Sequence, residues 1–383
     1  PPRQLAPDGG SVLCVKKGIV ETDGKCRSYA YDPLKRVPQK ALKLAEADPS
    51  EYDCEVKMKY IKEFICDPLP TPNCHASTVL PLGDGSVLAA WFAEQESSAD
   101  VDIWVARRDE SGWGKPFTVS HAKKLPHWNP VLAAGDNDDV MLFFKVGRHI
   151  PSWRTYISVS RDGGRSFSET RELVKGDVSG GRGPVKNKCL RLSSGRLLAP
   201  ASTENHGWNC FVDISDDGGK TWRKAKVKTE YASPLLNSQN GHCSNRIPMI
   251  QPTLWESAPG RVHMLTRTSV GRVYRSDSSD SGESWCEAYP TALPNNNSGL
   301  DLVKADGDLY LVSNPVSENW GERSPLTLQL SRDNGETWET VMTLEEEKKD
   351  SEFSYPAIQY KNGCLYITYT YERLNVAFWR IEL

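Results

Sequence analysis

Ser160–Phe167 (SRDGGRSF), Ser215–Trp222 (SDDGGKTW), Ser278–Trp285 (SSDSGESW) and Ser331–Trp338 (SRDNGETW) repeat one pattern, S-x-D-x-G-x-[ST]-[WF]. Their closing aromatics follow one another at 55, 63 and 53 residues, and a degenerate copy, ARRDESGW from Ala106 to Trp113, ends 54 residues before the first. A period of roughly 50 residues with one tight turn per period is the signature of a radially repeated sheet. Within the pattern, Asp and Ser/Thr side chains bond nearby backbone groups, Gly supplies positive φ, and the aromatic packs between sheets. An active site needs one constellation rather than five copies, so these aspartates read as structural, not as catalytic or calcium-binding residues.

Around each motif the same order recurs: an apolar strand, a Gly-containing turn, a second strand, a loop, a third strand, the motif and an outer strand. The first unit shows it as CHASTVLPL, GDG, SVLAAWFA, a polar loop and VDIWVARRD. Inner strands are expected to begin near His75, Asn129, Asn187, Gln251, Gly299 and Tyr355. Their partners are SVLAAWFA, VMLFFKVG, RLLAPAST, RVHMLTRT, DLYLVSNP and CLYITYTY. Six pairs predict an all-β, six-bladed β-propeller over residues 59–383, with seven blades as the alternative. The last blade shows only three strands, and KYIKEFICD (Lys59–Asp67) is the segment expected to supply its fourth. Residues 1–58 read as an N-terminal extension, with PQKALKLAEADPSEYD as a helix-like stretch.

Hydrophobic residues form 38% and charged ones 25% of the 383, which suits a globular chain with an ample core. The net charge of −3 argues against nucleic acid or a membrane surface as partner. No apolar run is long enough to span a bilayer, and a start at Pro1 reads as a processed or trimmed chain. The ten cysteines have no C-x-x-C spacing suited to zinc or redox work. They therefore predict structural disulfides, a stapled extension around Cys14, Cys26, Cys54 and Cys66, and a secreted or otherwise extracytoplasmic location. The single sequon, Asn296-Asn297-Ser298, falls where the active face is expected. No cofactor is implied, and a structural metal ion stays open.

In a propeller, inner strands start and second strands end at one face, around the axis. His75, His127 with Asn129, Lys186 with Lys188, Gln251, Asn295–Asn297 and Tyr355 enter inner strands. Glu204 with His206, Lys145 with Arg148, Glu94, Arg267, Asn314, and Tyr371 with Arg373 leave second strands. A concave axial pocket rich in Lys and Arg predicts an anionic ligand. Each residue has a plainer reading too: Lys186, Lys188 and Arg148 as solvated loop charges, Tyr355 as packing, His75 as a satisfied structural histidine, and His206 and His149 as surface loop residues.

From Pro70 onward, PTPNCHAST, HWNPVL, GPVKNK, QPTLWE, LPNNNSG, SPLTLQLS and SYPAI resemble the sialidase-like Asp-box propellers. The resemblance implies glycan chemistry. In a sialidase, three arginines hold a carboxylate, a Tyr/Glu pair supplies the nucleophile and an Asp the acid. Arg267, Arg373, Tyr355, Glu204 and Asp100 or Asp102 fit those places. The family's first arginine has no counterpart, because Asn73-Cys74-His75-Ala76 stands there. PTPNCHAST also resembles the branch with rhamnosyl-glucuronate lyases, which cleave by β-elimination. That chemistry needs a cation on the uronate carboxylate and a base for the C5 proton. His75 is then the expected base and proton donor, with His127 second. Lys145, Arg154, Arg267 and Arg373 are candidates for the carboxylate, and Lys188, Glu204, Gln251 and Asn297 complete the expected substrate site. The expectation is a lyase acting on an acidic oligo- or polysaccharide. The alternatives are an exo-α-sialidase and a non-catalytic glycan-binding propeller.

Overall fold

A computed structural model describes residues 58–94, 101–120, 125–204, 207–229 and 246–383, with three short strands near the N-terminus. The chain divides into two compact units, Pro1–Lys57 and Met58–Leu383. The first holds a three-stranded antiparallel sheet of Gln4–Leu5, Ser11–Cys14 and Gly18–Glu21. The helix-like stretch lies outside the described residues.

The second unit is a six-bladed propeller. Blade 1 opens with His75–Pro81, Val87–Glu94 and Val101–Asp109, edged by Gly112–Trp113 and Phe117–Val119. Blade 2 runs His127–Ala134, Val140–Val146, Arg154–Ser160 and Arg171–Glu172. Blade 4 is built on Met249–Ala258, Arg261–Thr268, Arg272–Ser278 and Glu287–Pro294. Blade 5 is Asp301–Ala305, Asp308–Ser313, Leu326–Ser331 and Glu339–Glu345. Blade 6 has Phe353–Lys361, Cys364–Tyr371 and Asn375–Glu382, and Tyr60–Phe64 pairs antiparallel with its last strand. Both ends of the propeller segment thus close one sheet, which removes an open edge.

Blade 3 departs from expectation. Its inner strand is only Leu190–Arg191, beside Leu197–Thr203, Asn209–Ser215 and Arg223–Lys226. Before it, Val185 N still donates to the Pro200 carbonyl at 3.1 Å, while the side chains of Lys186 and Asn187 reach other blades. Asn187 Nδ2 donates to the Gln251 and Pro252 carbonyls at 3.1 and 3.0 Å, and Lys186 Nζ to the Leu300 carbonyl at 3.2 Å.

Each sheet is covered on both faces by its neighbours, so strands such as His75–Pro81 and Val140–Val146 are buried throughout and read as apolar runs. The core is divided among the blade interfaces. Leu80, Leu88, Leu132 and Phe144 fill one of them, and Trp255, Leu265, Leu302 and Leu311 another.

The repeated motifs behave as read. Asp217 Oδ1 accepts the Thr221 amide at 2.9 Å, Ser215 Oγ accepts the Gly219 amide at 2.8 Å, and Trp222 Nε1 donates to the Gly219 carbonyl at 3.0 Å. Gly164 has φ +80°, and a Cβ there would stand 2.3 Å from Leu88 Cδ1 of the preceding blade. Glycine is therefore required both for the turn and for docking the blades.

The disulfide expectation is corrected. Cys66, Cys74, Cys189, Cys210, Cys286 and Cys364 are free thiols. Cys74, Cys210 and Cys364 are buried as small apolar residues, and burial pushes the Cys74 and Cys189 thiols up to about 12. The side chains of Cys14, Cys26, Cys54 and Cys243 lie outside the described residues, and with them the proposed stapling of the extension.

Candidate functional site on the propeller axis

Four inner strands carry the same irregularity near their start. The ladder skips between His75 and Thr78, Trp128 and Val131, Ile250 and Thr253, and Ser354 and Ala357. At each β-bulge one residue takes a left-handed conformation: Ala76 (φ 54°), Asn129 (47°), Gln251 (55°) and Tyr355 (55°). In three of them proline follows (Pro130, Pro252, Pro356), which leaves the bulge without one unpaired N–H. A left-handed tyrosine is costly, on the order of 1–3 kcal/mol, and such strain gathers at functional sites.

The bulges of blades 4 and 6 meet at Arg267. Its Nη1 donates to the Tyr355 hydroxyl at 2.9 Å and to Gln251 Oε1 at 3.0 Å, and its Nε to Asn297 Oδ1 at 2.9 Å. Gln251 Nε2 also donates to the Tyr355 hydroxyl, at 3.1 Å. The phenol oxygen thus accepts from a cation and an amide. Burial would raise its pKa, but the charge of Arg267, the Gln251 hydrogen bond and the charge of Arg323 outweigh it and lower it below 10.0.

His75 lies against this phenol, with ring centroids 4.3 Å apart, and its Nδ1 is 3.0 Å from Thr370 Oγ1. Burial first, then the nearby Arg373, hold its pKa well below 6.5, so the imidazole is neutral. Glu352 anchors two more arginines: Arg323 Nη1 donates to it at 2.6 Å and Arg373 Nε at 2.8 Å. Against burial, these partners keep its pKa at about 2. Glu204 Oε2 accepts from Trp208 Nε1 at 3.1 Å, and the Arg267 guanidinium lies 5.4 Å from the Trp208 ring. Burial raises the Glu204 pKa despite Arg267. Lys186 Nζ is 5.9 Å from the Tyr355 ring, its pKa lowered to about 7 by burial.

His75, Gln251, Arg267, Asn297, Tyr355 and Arg373 therefore form one connected cluster, with Glu204 joined through Trp208. The other expected residues make their described contacts elsewhere. His127 is fully buried, its Nδ1 3.1 Å from the Val101 carbonyl and 3.5 Å from Asp102. Lys145 Nζ donates to Thr155 and the Arg182 carbonyl, Arg154 pairs with Glu172, and Lys188 pairs with buried Asp301 at 2.9 Å. Asp100 and His206 lie outside the described residues. Asn296 is buried and its Nδ2 donates to the Gly321 and Glu322 carbonyls, so the sequon is not presented for glycosylation.

Sequence reading missed Glu352, Arg323 and Trp208. Arg323 and Trp208 sit in loops between second and third strands, which a search of strand ends passes over. Glu352 stands one residue before the strand Phe353–Lys361, and its role depends on which arginines the fold brings to it. Among the described residues no group of three or more His, Cys, Asp or Glu is arranged to hold a metal ion.

Known structures share this architecture. A Hadza microbial sialidase matches with 18% identity and a TM-score of 0.66, over 82% of this chain and 66% of that one, just under two thirds of its length. The NanB sialidase of Streptococcus pneumoniae matches with 13% identity and a TM-score of 0.62, over 82% and 69%. A protein of unknown function from Dyadobacter fermentans, 12% identical with a TM-score of 0.65, is covered over 99% of its length by 85% of this chain. At these identities the likeness is one of fold. No curated protein sequence matches the chain. Residues 85–367 match the family described as BNR repeat-like domain, and the chain belongs to that family.

Proposed function

We propose that the axial cluster is the active site of an enzyme that cleaves an acidic glycan by β-elimination at a uronate. The observation that carries this reading is the Tyr355 hydroxyl, which accepts hydrogen bonds from Arg267 and Gln251. Donors and a nearby guanidinium favour the phenolate form of this oxygen, the form that can take a proton. His75, the base expected from sequence, is a neutral ring packed on the same phenol.

Three guanidiniums, Arg267, Arg323 and Arg373, meet there, and the Glu352 carboxylate engages the last two. That balance suits an anionic sugar. A cation on the uronate carboxylate stabilises the charge that develops as C5 loses its proton. With Tyr355 ionised, the proton passes to its phenolate oxygen, the C5–H electron pair forms the C4–C5 double bond, and the C4–oxygen bond breaks. The departing oxygen then takes its proton from the Tyr355 hydroxyl.

One observation favours a sialidase-type hydrolase as a second reading. Glu204 is a buried carboxylate near Arg267 with a raised pKa, a property suited to proton transfer. Against it, no carboxylate among the described residues bonds the Tyr355 hydroxyl to take its proton.

Product analysis on uronate-capped oligosaccharides and on sialosides separates the readings. Elimination yields an unsaturated uronate that absorbs ultraviolet light. Sialoside hydrolysis without that product overturns the lyase reading, and binding without turnover of either substrate makes the propeller a lectin.

A further inference from the structure

At the far end of the strand that carries Gln251 lies a second constellation. Glu256 pairs with Val262 and Ala258 with Arg261, so Ser257 is the extra residue of a β-bulge. A bulge turns a side chain out of its normal alternation. Here the Ser257 hydroxyl lies 2.7 Å from His263 Nε2. On its other side, His263 Nδ1 is 2.5 Å from Oδ1 of Asp277, its cross-strand partner. Six residues at about 3.3 Å each put this group roughly 20 Å along the strand from Gln251.

The surroundings fix the roles. Asp277 is pinned by Arg275 Nε at 2.9 Å and by the Tyr289 hydroxyl at 2.6 Å. An ionised Asp277 accepts a hydrogen bond from the Nδ1–H of His263, and with the proton on Nδ1 the Nε2 is the acceptor facing Ser257. The imidazole stacks on Trp255, with centroids 4.9 Å apart at 26°. Trp255 Nε1 donates to Asn334 Oδ1 at 2.7 Å, which orients the Asn334 amide so that Nδ2 faces His263 Nε2, at 3.4 Å. Asn334 and Ser257 thus both face His263 Nε2, which holds the imidazole from the side opposite Asp277. Ser257 is half-buried, next to the exposed hairpin residues Ala258 and Pro259.

We propose that Ser257, His263 and Asp277 form a second, acyl-transfer site, with Ser257 as nucleophile, His263 as general base and Asp277 as the carboxylate that orients it. The substrate class is a small or surface-presented carboxylic ester, such as an O-acetyl group. Ser257 Oγ attacks the ester carbonyl and its proton passes to His263 Nε2. The carbon–oxygen bond to the alcohol breaks, and the alcohol leaves with the proton from His263. Water then attacks the acyl-serine in the same way, releasing the acid and restoring the hydroxyl. Arg275 acts on Asp277 through its Nε, and its Nη2 lies 3.2 Å from His263 Nδ1 on the same side of the ring.

The test uses the full chain with a fluorophosphonate probe, followed by mass-spectrometric mapping of the adduct and by p-nitrophenyl acetate hydrolysis. The expected result is an adduct on Ser257 in the folded protein. Ser257→Ala abolishes it, and Asp277→Asn and His263→Gln slow labelling and ester turnover by at least about 100-fold. Turnover at the axial site remains unchanged in Ser257→Ala. An unlabelled Ser257 in the folded wild-type protein overturns the proposal, as does labelling that survives Asp277→Asn and His263→Gln at the wild-type rate.

Discussion

Nη1 of Arg267 lies 2.9 Å from the hydroxyl oxygen of Tyr355 and 3.0 Å from Gln251 Oε1, so one guanidinium nitrogen ties the bulges of blades 4 and 6 together. Replacing Tyr355 by Phe removes the oxygen proposed to take the proton while keeping the ring against His75. The expected loss in kcat is about 10²–10⁴-fold with substrate affinity largely kept. His75→Ala separates the two base candidates. If it abolishes turnover while Tyr355→Phe retains most of it, the imidazole is the base.

The same contact sets a pH dependence. The Arg267 charge stabilises the phenolate, so removing it raises the Tyr355 pKa. Activity that requires the phenolate rises with pH through that pKa, and Arg267→Met moves this limb to higher pH. A kcat–pH profile measures it, and an unmoved limb in the variant excludes Tyr355 as the titrating base.

Glu352 gives a stability counterpart. Its folded pKa, about 2, lies below the ordinary 4.5, so the unfolded chain binds more protons between those values. The stability it contributes is fully present above about pH 4.5 and is lost as pH falls toward about 2. Glu352→Gln leaves Arg323 and Arg373 without their anion and should lower Tm at neutral pH. That deficit should shrink as pH falls through the same window, as thermal melts at stepped pH would record.

Much of this architecture is legible in sequence because repetition is. The serine, aspartate, glycine and aromatic of each motif serve a local turn, and local chemistry is written in consecutive residues. Tyr355, Gln251 and Asn297 could be placed on one rim by strand polarity alone. Glu352, Arg323 and Trp208 could not, because their roles arise from contacts among blades 3, 4, 5 and 6 and from loop paths with no periodicity. The cysteines misled because their number suggested an oxidised framework, whereas several serve as apolar packing at blade cores. Lys145 shows the same limit. It leaves a second strand toward the expected rim, yet its ammonium is taken up by Thr155 and the Arg182 carbonyl.

Gly164 tests the blade docking. Alanine there combines a left-handed φ of +80° with a Cβ 2.3 Å from Leu88 Cδ1. Overpacking of this kind typically costs about 1–3 kcal/mol, and backbone strain adds about 1 kcal/mol or more. Chemical denaturation of Gly164→Ala should show a loss of at least about 2 kcal/mol. Gly176→Ala is the control, since nothing lies within 4 Å of its Cβ position while its φ is also positive, at +76°. Equal losses in the two variants would assign the whole effect to backbone conformation.

Trp320 tests the reach of the axial site. It is 64% exposed, and its amide donates to the Asn296 carbonyl at 3.1 Å. The same loop carries Asn319, whose Oδ1 accepts from Asn297 Nδ2 at 3.0 Å, and Arg323, which holds Glu352. On the proposed function, an indole held in solvent beside Arg323 would offer a flat apolar face to a sugar ring beyond the one that reacts. Stacking of this size is worth about 0.5–1.5 kcal/mol, so Trp320→Ala should raise KM for an oligosaccharide by roughly 2- to 10-fold with kcat nearly unchanged. A substrate with only a small leaving group should show no change, and neither should the melting temperature, because the side chain contributes little to the core. A fall in kcat on the short substrate would instead mean that Trp320 acts by positioning Arg323 through the loop they share.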